Sequence, residues 1–303
     1  MNPSPDFVGS YASRYVGRFA PSPTGPLHQG SLVAALASWL DARHHGGTWL
    51  LRIEDLDPPR ESATAPALIL SQLTQLGLFW DGEPLLQSHR VDAYEQALQQ
   101  LVDNDRVFAC ACSRRITTPV YGGACRQRRL SDTKSQDAIR FEVPDTTLRF
   151  TDQVLGQQEW NLQEDVGDFV IKRRDGLFAY QLAVTVDDAF QQVTHVVRGS
   201  DLLDSTPRQI SLAHALQYPV PLYAHIPVLV DDTGKKLSKS EQATQIPSAE
   251  PLRCIRAALK HLGQAQFPQI TDLHALLAAA TQAWRMDRVP RLLSRGIQPI
   301  DAD

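Results

Sequence analysis

Apolar and polar residues alternate along the chain in two rhythms. The run YVGRF over residues 15–19 reads as a short strand, and the APSPTGPLHQG that follows is so rich in Pro and Gly that regular structure is not expected before Ser31. Over 31–44, Leu32, Leu36, Trp39, Leu40 and Arg43 recur at three- and four-residue steps, which is helical spacing, with Gly46 and Gly47 as the stop. TWLLRIEDLD is an apolar strand ending in carboxylates, and residues 65–76 return to helical spacing. Strand, helix, strand and helix in this order predict an α/β fold, a parallel sheet covered by helices.

Between 81 and 160 the texture changes to a helix over 93–104, a cysteine-bearing loop, the basic run RQRR and short strand-like pieces such as AIRFEV, the pattern of an inserted subdomain. The α/β alternation returns with DFVIKRRDG, FAYQLAVTVDD and VTHVVRGSDLL, and a helix is expected over 206–216. After IPVLVDDTGKKLSKS come helical pieces over 251–262 and 272–284, which make 246–303 a short helical C-terminal region. Residues 1–15, rich in Ser, Pro and Gly, read as a flexible tail. That leaves 16–80 and 161–245 as two halves of one domain around the 81–160 insertion.

Composition excludes several classes. With 303 residues, 43% of them hydrophobic and 21% charged, the chain is neither disordered nor fibrous. Thirty Lys plus Arg against 34 Asp plus Glu give a formal charge of −4, so no global field draws it to nucleic acid. Any such binding must be local, and Arg126, Arg128 and Arg129, with Lys172, Arg173 and Arg174, are the basic clusters that can neutralise phosphates. The first residues lack the basic start and apolar stretch of a secretory signal, and the longest near-apolar run, 32–40, is far short of the roughly 20 residues a membrane span needs. A cytoplasmic protein with no membrane partner is expected.

Three of the four cysteines, Cys110, Cys112 and Cys125, cluster as C-x-C-x12-C. In a reducing compartment this suits a metal or redox chemistry better than disulfides, and a closed tetrahedral Zn2+ site would need one more donor. Cys254 falls on the apolar face of PLRCIRAALKHL and reads as core.

Two segments can handle phosphate. The HQG tripeptide stands where a loop meets a helix N-terminus, whose unpaired N–H groups and positive dipole end attract anions. There His28 can donate to a phosphate oxygen and Gly30 allows close approach. Farther on, GKKLSKS carries lysines with small polar spacers, a clamp suited to polyphosphate.

Taken in order, PSPTGPLHQG and KLSKS resemble the paired HIGH and KMSKS signatures of class I aminoacyl-tRNA synthetases. GRFAPSPTGPLH, LLRIEDLD, YQLAVTVDD and VVRGSDLL are similar to the glutamyl-tRNA synthetase catalytic domain over residues 16–245. The tail after this region leaves no room for a large anticodon-binding part, and with the cysteine cluster the chain resembles the glutamyl-Q tRNA(Asp) synthetase family. The HIGH tetrad is His28-Gln29-Gly30-Ser31, which departs at its second and fourth positions, and KMSKS is Lys236-Leu237-Ser238-Lys239-Ser240.

The resemblance implies a Rossmann-like nucleotide-binding domain with an inserted zinc-bearing, tRNA-facing subdomain. It also implies an ATP-dependent ligase that forms glutamyl adenylate without tRNA and attaches glutamate to the queuosine base in the anticodon of tRNA(Asp). ATP with Mg2+, L-glutamate and that tRNA are the implied partners of a monomer. It places catalysis on His28 and Lys239, ATP on His28, Gly30, Lys236 and Lys239, and glutamate on Arg18, Phe19, Ala20, Pro21, Ser22, Glu54, Tyr180 and Arg198. Arg18 and Arg198 can each offer a planar fork to a carboxylate, Glu54 can receive the ammonium, and Arg198 is the expected determinant of glutamate over glutamine. Tyr121 joins Cys110, Cys112 and Cys125 as the implied zinc ligands. Charging of a tRNA 3′ end, or binding of amino acid or tRNA without catalysis, are the alternatives.

Overall fold

The structure is a computed structural model that describes residues 14–112, 120–128, 130–132, 137–231, 234 and 250–296. Strand β1 (Val16–Phe19) is followed by helix α1 (Gln29–His44) and strand β2 (Thr48–Ile53), which runs parallel to β1 with Arg18 beside Leu50. Helix α2 (Ala65–Gln75) then returns the chain to the short strand β3 (Leu85–Leu86), parallel to β2. On the other side of β1 lies β9 (His195–Gly199), which pairs in parallel with β10 (Leu222–Ile226) across helix α5 (Thr206–Leu216). Thr194 ties the two ladders, since Val16 N–H donates to its Oγ1 and its own N–H donates to Val16 O, both at 2.9 Å. The parallel sheet expected from the alternation is present.

Helix α1 begins at Gln29, two residues earlier than expected. The side chain of His28 accepts the N–H of Ser31 at 3.2 Å and so caps the helix, a role that Pro and Gly counting does not register. Ala42 of α1 lies against β1, 3.6 Å from where a Cβ on Gly17 would stand, Ser38 accepts the Trp49 Nε1–H from β2, and helices α6 (Pro251–His261) and α7 (Leu273–Ala283) also pack on α1. Cys254 is buried in this same core. The buried carboxylate of Asp41 accepts hydrogen bonds from Tyr15 Oη and Trp284 Nε1, which fastens both ends of the described chain to α1. Tyr15 is therefore core rather than the end of a flexible tail, and residues 1–13 lie outside the described residues.

A second core joins α3 (Val91–Asp103) to α4 (Tyr180–Phe190) and α5 through Tyr94, Leu101, Leu182 and Leu212. Beside it β4 (Val107–Cys110), β5 (Ala138–Phe141) and β8 (Phe169–Lys172) form an antiparallel sheet, and β6 (Thr147–Asp152) with β7 (Gly156–Asn161) forms a hairpin against β10. In the C-terminal region the helices are joined by a strand that the sequence did not suggest. Its SRG, β12 (Ser294–Gly296), has no apolar alternation and becomes a strand by pairing in parallel with β11 (Val228–Val230). No helix among the described residues is long and apolar enough to cross a membrane.

Candidate active site

The carboxyl ends of β1, β2, β9 and β10 converge on the N-terminus of α1, the place where parallel α/β sheets bind ligands. A cavity of about 500 Å³ opens there. Arg18, Phe19, Ala20, Pro21, Ser22, His28, Gly30, Glu54, Tyr180 and Arg198 all line it, so residues far apart in the chain share one space. Lys236 and Lys239 lie outside the described residues.

At the mouth, His28 Nδ1 accepts the Ser31 N–H, so its proton belongs on Nε2, which stands 3.1 Å from Ser31 Oγ. Nε2–H then donates to Ser31 Oγ, and the ring forms part of the cavity wall. No acidic residue sits in the first turn of α1, and the positive end of the helix is uncancelled.

The inner end is built from paired charges. Arg18 donates its Nε–H to Asp188 at 3.2 Å, and Arg52, wholly buried, reaches Asp188 at 2.8 Å and Glu54 at 3.4 Å. Burial would raise the Asp188 carboxyl, but Arg18 and Arg52 hold it below its usual range. Glu54 is pushed up to about 6 by burial, against the pull of Arg52 and Arg18. The terminal nitrogens of Arg18 have no partner among the described residues, so its fork is open. Tyr180 is half-buried, and desolvation raises its phenol.

Arg198 differs from both other arginines. It is 4% exposed, yet its partners are neutral: His225 Nε2 at 3.1 Å, Gln209 Oε1 at 2.8 Å, Thr206 Oγ1 at 2.8 Å and Leu202 O at 3.3 Å. No described carboxylate pairs with it. A buried guanidinium without a counter-charge is costly, and one that lines a cavity marks an anion subsite.

Sequence reasoning passed over Arg52, Asp188, His225 and Asp152. The first two stand inside LLRIEDLD and YQLAVTVDD, and a charge inside an apolar run is the signal that could have found them. The basic clusters also read differently once folded. Arg126 is bidentate to Asp168, Arg128 pairs with Asp137, Lys172 with Glu95 and Arg173 with Asp57, while Arg174 donates to the neutral Cys112 O. Arg129 lies outside the described residues.

The three clustered thiols come together at the end of β4. Cys110, Cys112 and Cys125 Sγ lie within 4.8 Å of one another, with Cys112 and Cys125 at 3.4 Å. Tyr121 Oη is 3.7 Å from Cys110 Sγ and 3.8 Å from Cys112 Sγ. Four donors bound tetrahedrally to zinc at about 2.3 Å stand roughly 3.8 Å apart, so this arrangement fits the ion. Arg140 donates its Nε–H to Cys110 Sγ at 3.2 Å, and its guanidinium lies 4.0 Å over the Tyr121 ring.

Comparison with known proteins places these features. The family model of class I tRNA synthetases (E and Q), catalytic domain, matches residues 15–116 and 123–250. A glutamyl-Q tRNA(Asp) synthetase of Pseudomonas putida is 48% identical over 282 residues, spanning 91% of this chain and 95% of that protein. The Burkholderia cenocepacia protein of the same name is 50% identical over 294 residues, with 91% and 98% covered. This chain belongs to the glutamyl-Q tRNA(Asp) synthetase family. A glutamate tRNA ligase from Elizabethkingia meningosepticum, solved in complex with its amino acid, superposes with a TM-score of 0.79 at 25% identity, covering 94% of this chain and 67% of that one. As a member of the glutamyl-Q tRNA(Asp) synthetase family the chain is an ATP-dependent ligase with the class I catalytic fold, and its ATP is used with Mg2+.

Proposed function

We propose that the protein activates L-glutamate with ATP to glutamyl adenylate, without tRNA, and transfers the glutamate to the queuosine base in the anticodon of tRNA(Asp). The observation that carries this reading is Arg198, a buried cation in the cavity wall with only neutral partners. At the inner end three guanidiniums (Arg18, Arg52, Arg198) meet two carboxylates, Glu54 and Asp188, which leaves one positive charge. Glutamate carries one net negative charge and glutamine none, so only the former neutralises the site. A charge-assisted hydrogen bond contributes roughly 1.5 to 3 kcal/mol, which glutamine would forfeit.

In this reading Arg18 and Arg198 hold the side-chain carboxylate, Glu54 takes the ammonium, and Phe19, Ala20, Pro21, Ser22 and Tyr180 shape the pocket. The substrate α-carboxylate attacks the α-phosphorus of ATP and pyrophosphate leaves. Charge that builds on the phosphate oxygens is met by His28 and the first amides of α1, with Gly30 giving room, while Lys236 and Lys239 neutralise the leaving pyrophosphate. Mg2+ carried with ATP adds charge neutralisation. A hydroxyl of the queuosine cyclopentenediol then attacks the acyl carbon and AMP departs.

Residues 16–80 and 161–245 serve as the catalytic domain of a monomeric, cytoplasmic enzyme, and 81–160 as its tRNA-facing part. There Cys110, Cys112, Tyr121 and Cys125 hold one structural zinc. The test is glutamate-dependent ATP–pyrophosphate exchange without tRNA, followed by transfer to tRNA(Asp) with and without queuosine. Exchange with queuosine-dependent transfer is expected; transfer that ignores queuosine, or acylation of a tRNA 3′ end, overturns the substrate assignment.

A further inference from the structure

The partners of Arg198 reach beyond the cavity to a buried pair with no part in the steps above. His225 is the cross-strand neighbour of Arg198 in the β9–β10 ladder and is wholly buried. Its Nδ1 lies 2.6 Å from Asp152 Oδ2, whose side chain is wholly buried too. The other oxygen of Asp152 accepts three backbone N–H groups, from Val154 at 3.0 Å, Leu155 at 2.9 Å and His225 itself at 3.2 Å.

Donor and acceptor roles along this chain admit one arrangement. The Asp152 carboxylate only accepts, so His225 carries its proton on Nδ1, and Nε2 is left with the lone pair that receives Arg198 Nε–H at 3.1 Å. Thr206 Oγ1 accepts from Arg198 at 2.8 Å and lies 3.1 Å from the same Nε2. Four of the five N–H groups of Arg198 are thus engaged, and one on Nη1 remains for the cavity that the residue lines. A carboxylate placed directly on Arg198 would orient it equally well but would consume its charge. The neutral imidazole orients the guanidinium and keeps the negative group one ring away.

We propose that Asp152 and His225 are positioning residues that fix the tilt of Arg198 and thereby set the preference for a carboxylate over a carboxamide side chain in the amino-acid substrate. The proposal rests on the assignment of Arg198 to the side-chain carboxylate. It also makes the β6–β7 hairpin, which supplies Asp152, a support for the amino-acid pocket.

Two substitutions at one position separate the halves of the relay. His225→Gln puts a carboxamide near the Nε2 locus and can still accept from Arg198, whereas His225→Asn reaches only the Nδ1 locus and leaves Arg198 Nε–H without its acceptor. Asp152→Asn favours the opposite histidine tautomer, with two donors facing each other. The expected result is that His225→Asn and Asp152→Asn raise the KM for glutamate about tenfold and shrink the glutamate-to-glutamine ratio of kcat/KM by a similar factor, with the KM for ATP unchanged. His225→Gln should keep most of the ratio. A merely structural role would move both substrates together. Unchanged discrimination in folded His225→Asn and Asp152→Asn overturns the proposal. Arg198→Ala separates it from the assignment beneath: if this variant leaves glutamate binding intact, the carboxylate assignment fails, and if it alone abolishes binding, only the relay fails. Should the variants not fold, nitrogen NMR of wild-type histidine decides, since a His225 protonated on Nε2 overturns the arrangement and one protonated on Nδ1 supports it.

Discussion

A Cβ on Gly30 would stand 3.2 Å from both Cε1 and Nδ1 of His28, so the imidazole fills the space that any side chain at position 30 would need. Alanine is the better helix former by about 0.5 to 1 kcal/mol, and position 30 lies in the first turn of α1. Gly30→Ala should therefore fold with an equal or higher melting temperature while displacing the His28 ring by a few tenths of an ångström. Pyrophosphate exchange is expected to fall about tenfold, or roughly 1.4 kcal/mol of transition-state stabilisation. Normal turnover in this variant would remove His28 from the phosphate site.

Glu54 gives the amino-acid pocket a pH dependence. Burial lifts its carboxyl to about 6 although Arg52 and Arg18 oppose this, and an ammonium group binds only the ionised form. Bound substrate must lower that value. Glutamate affinity is consequently whole above pH 6 and declines as pH falls through about 6, by up to tenfold per unit until the bound-state value is reached. Calorimetric titration from about pH 5 to pH 8 reads this limb, which Glu54→Gln should flatten along with a loss of affinity.

How much of this was legible depended on whether a residue's role is local. Arg18, His28, Glu54 and Arg198 sit in contiguous segments whose type and order can be read directly, and the structure places them around one cavity. Helical spacing located α2 because its buried Ala65, Ile69 and Leu73 recur every four residues, whereas α1, buried on nearly every side, gave its true start only through a side-chain cap. His225 and Asp152 were invisible for another reason. They are separated by 73 positions and meet only because the β6–β7 hairpin packs on β10, a contact that no periodicity encodes. The basic runs were legible as charge but not as partners: Arg126, open to phosphate in the sequence, is ion-paired to Asp168 in the fold.

Asp188 holds two buried guanidiniums at once, Arg18 at 3.2 Å and Arg52 at 2.8 Å. Asp188→Asn leaves both short of their shared counter-charge and should cost about 3 to 5 kcal/mol, read as a lower urea midpoint. Its folded carboxyl is depressed, since the arginines outweigh the burial that would raise it. The stabilisation is thus present above the ordinary carboxylate value of about 3.9 and disappears as pH falls through the lower folded value. The gap between wild type and variant should accordingly be full near pH 7 and narrow in acid; a gap independent of pH would assign the loss to packing.

Gly167 decides whether Tyr121 can reach the thiols. Its φ is +65°, and a Cβ there would come within 2.5 Å of Val120 Cγ1 and 2.9 Å of Tyr121 N, so Gly167→Ala must push the Tyr121 backbone away. Gly176 supplies the control, because its φ is +85° with no atom within 4 Å of a Cβ. Gly176→Ala carries only the left-handed backbone cost of roughly 1 to 2 kcal/mol. Zinc measured on the purified proteins should be near one per chain in wild type and Gly176→Ala, and reduced in Gly167→Ala, Tyr121→Phe and Cys110→Ser. If Gly167→Ala and Tyr121→Phe both retain full zinc while Cys110→Ser loses it, the thiols bind the ion without the phenol. A folded wild type free of zinc after growth in zinc-replete medium would mean that the contacts from Arg140 and the Tyr121 hydroxyl suffice to hold the cluster together without the ion.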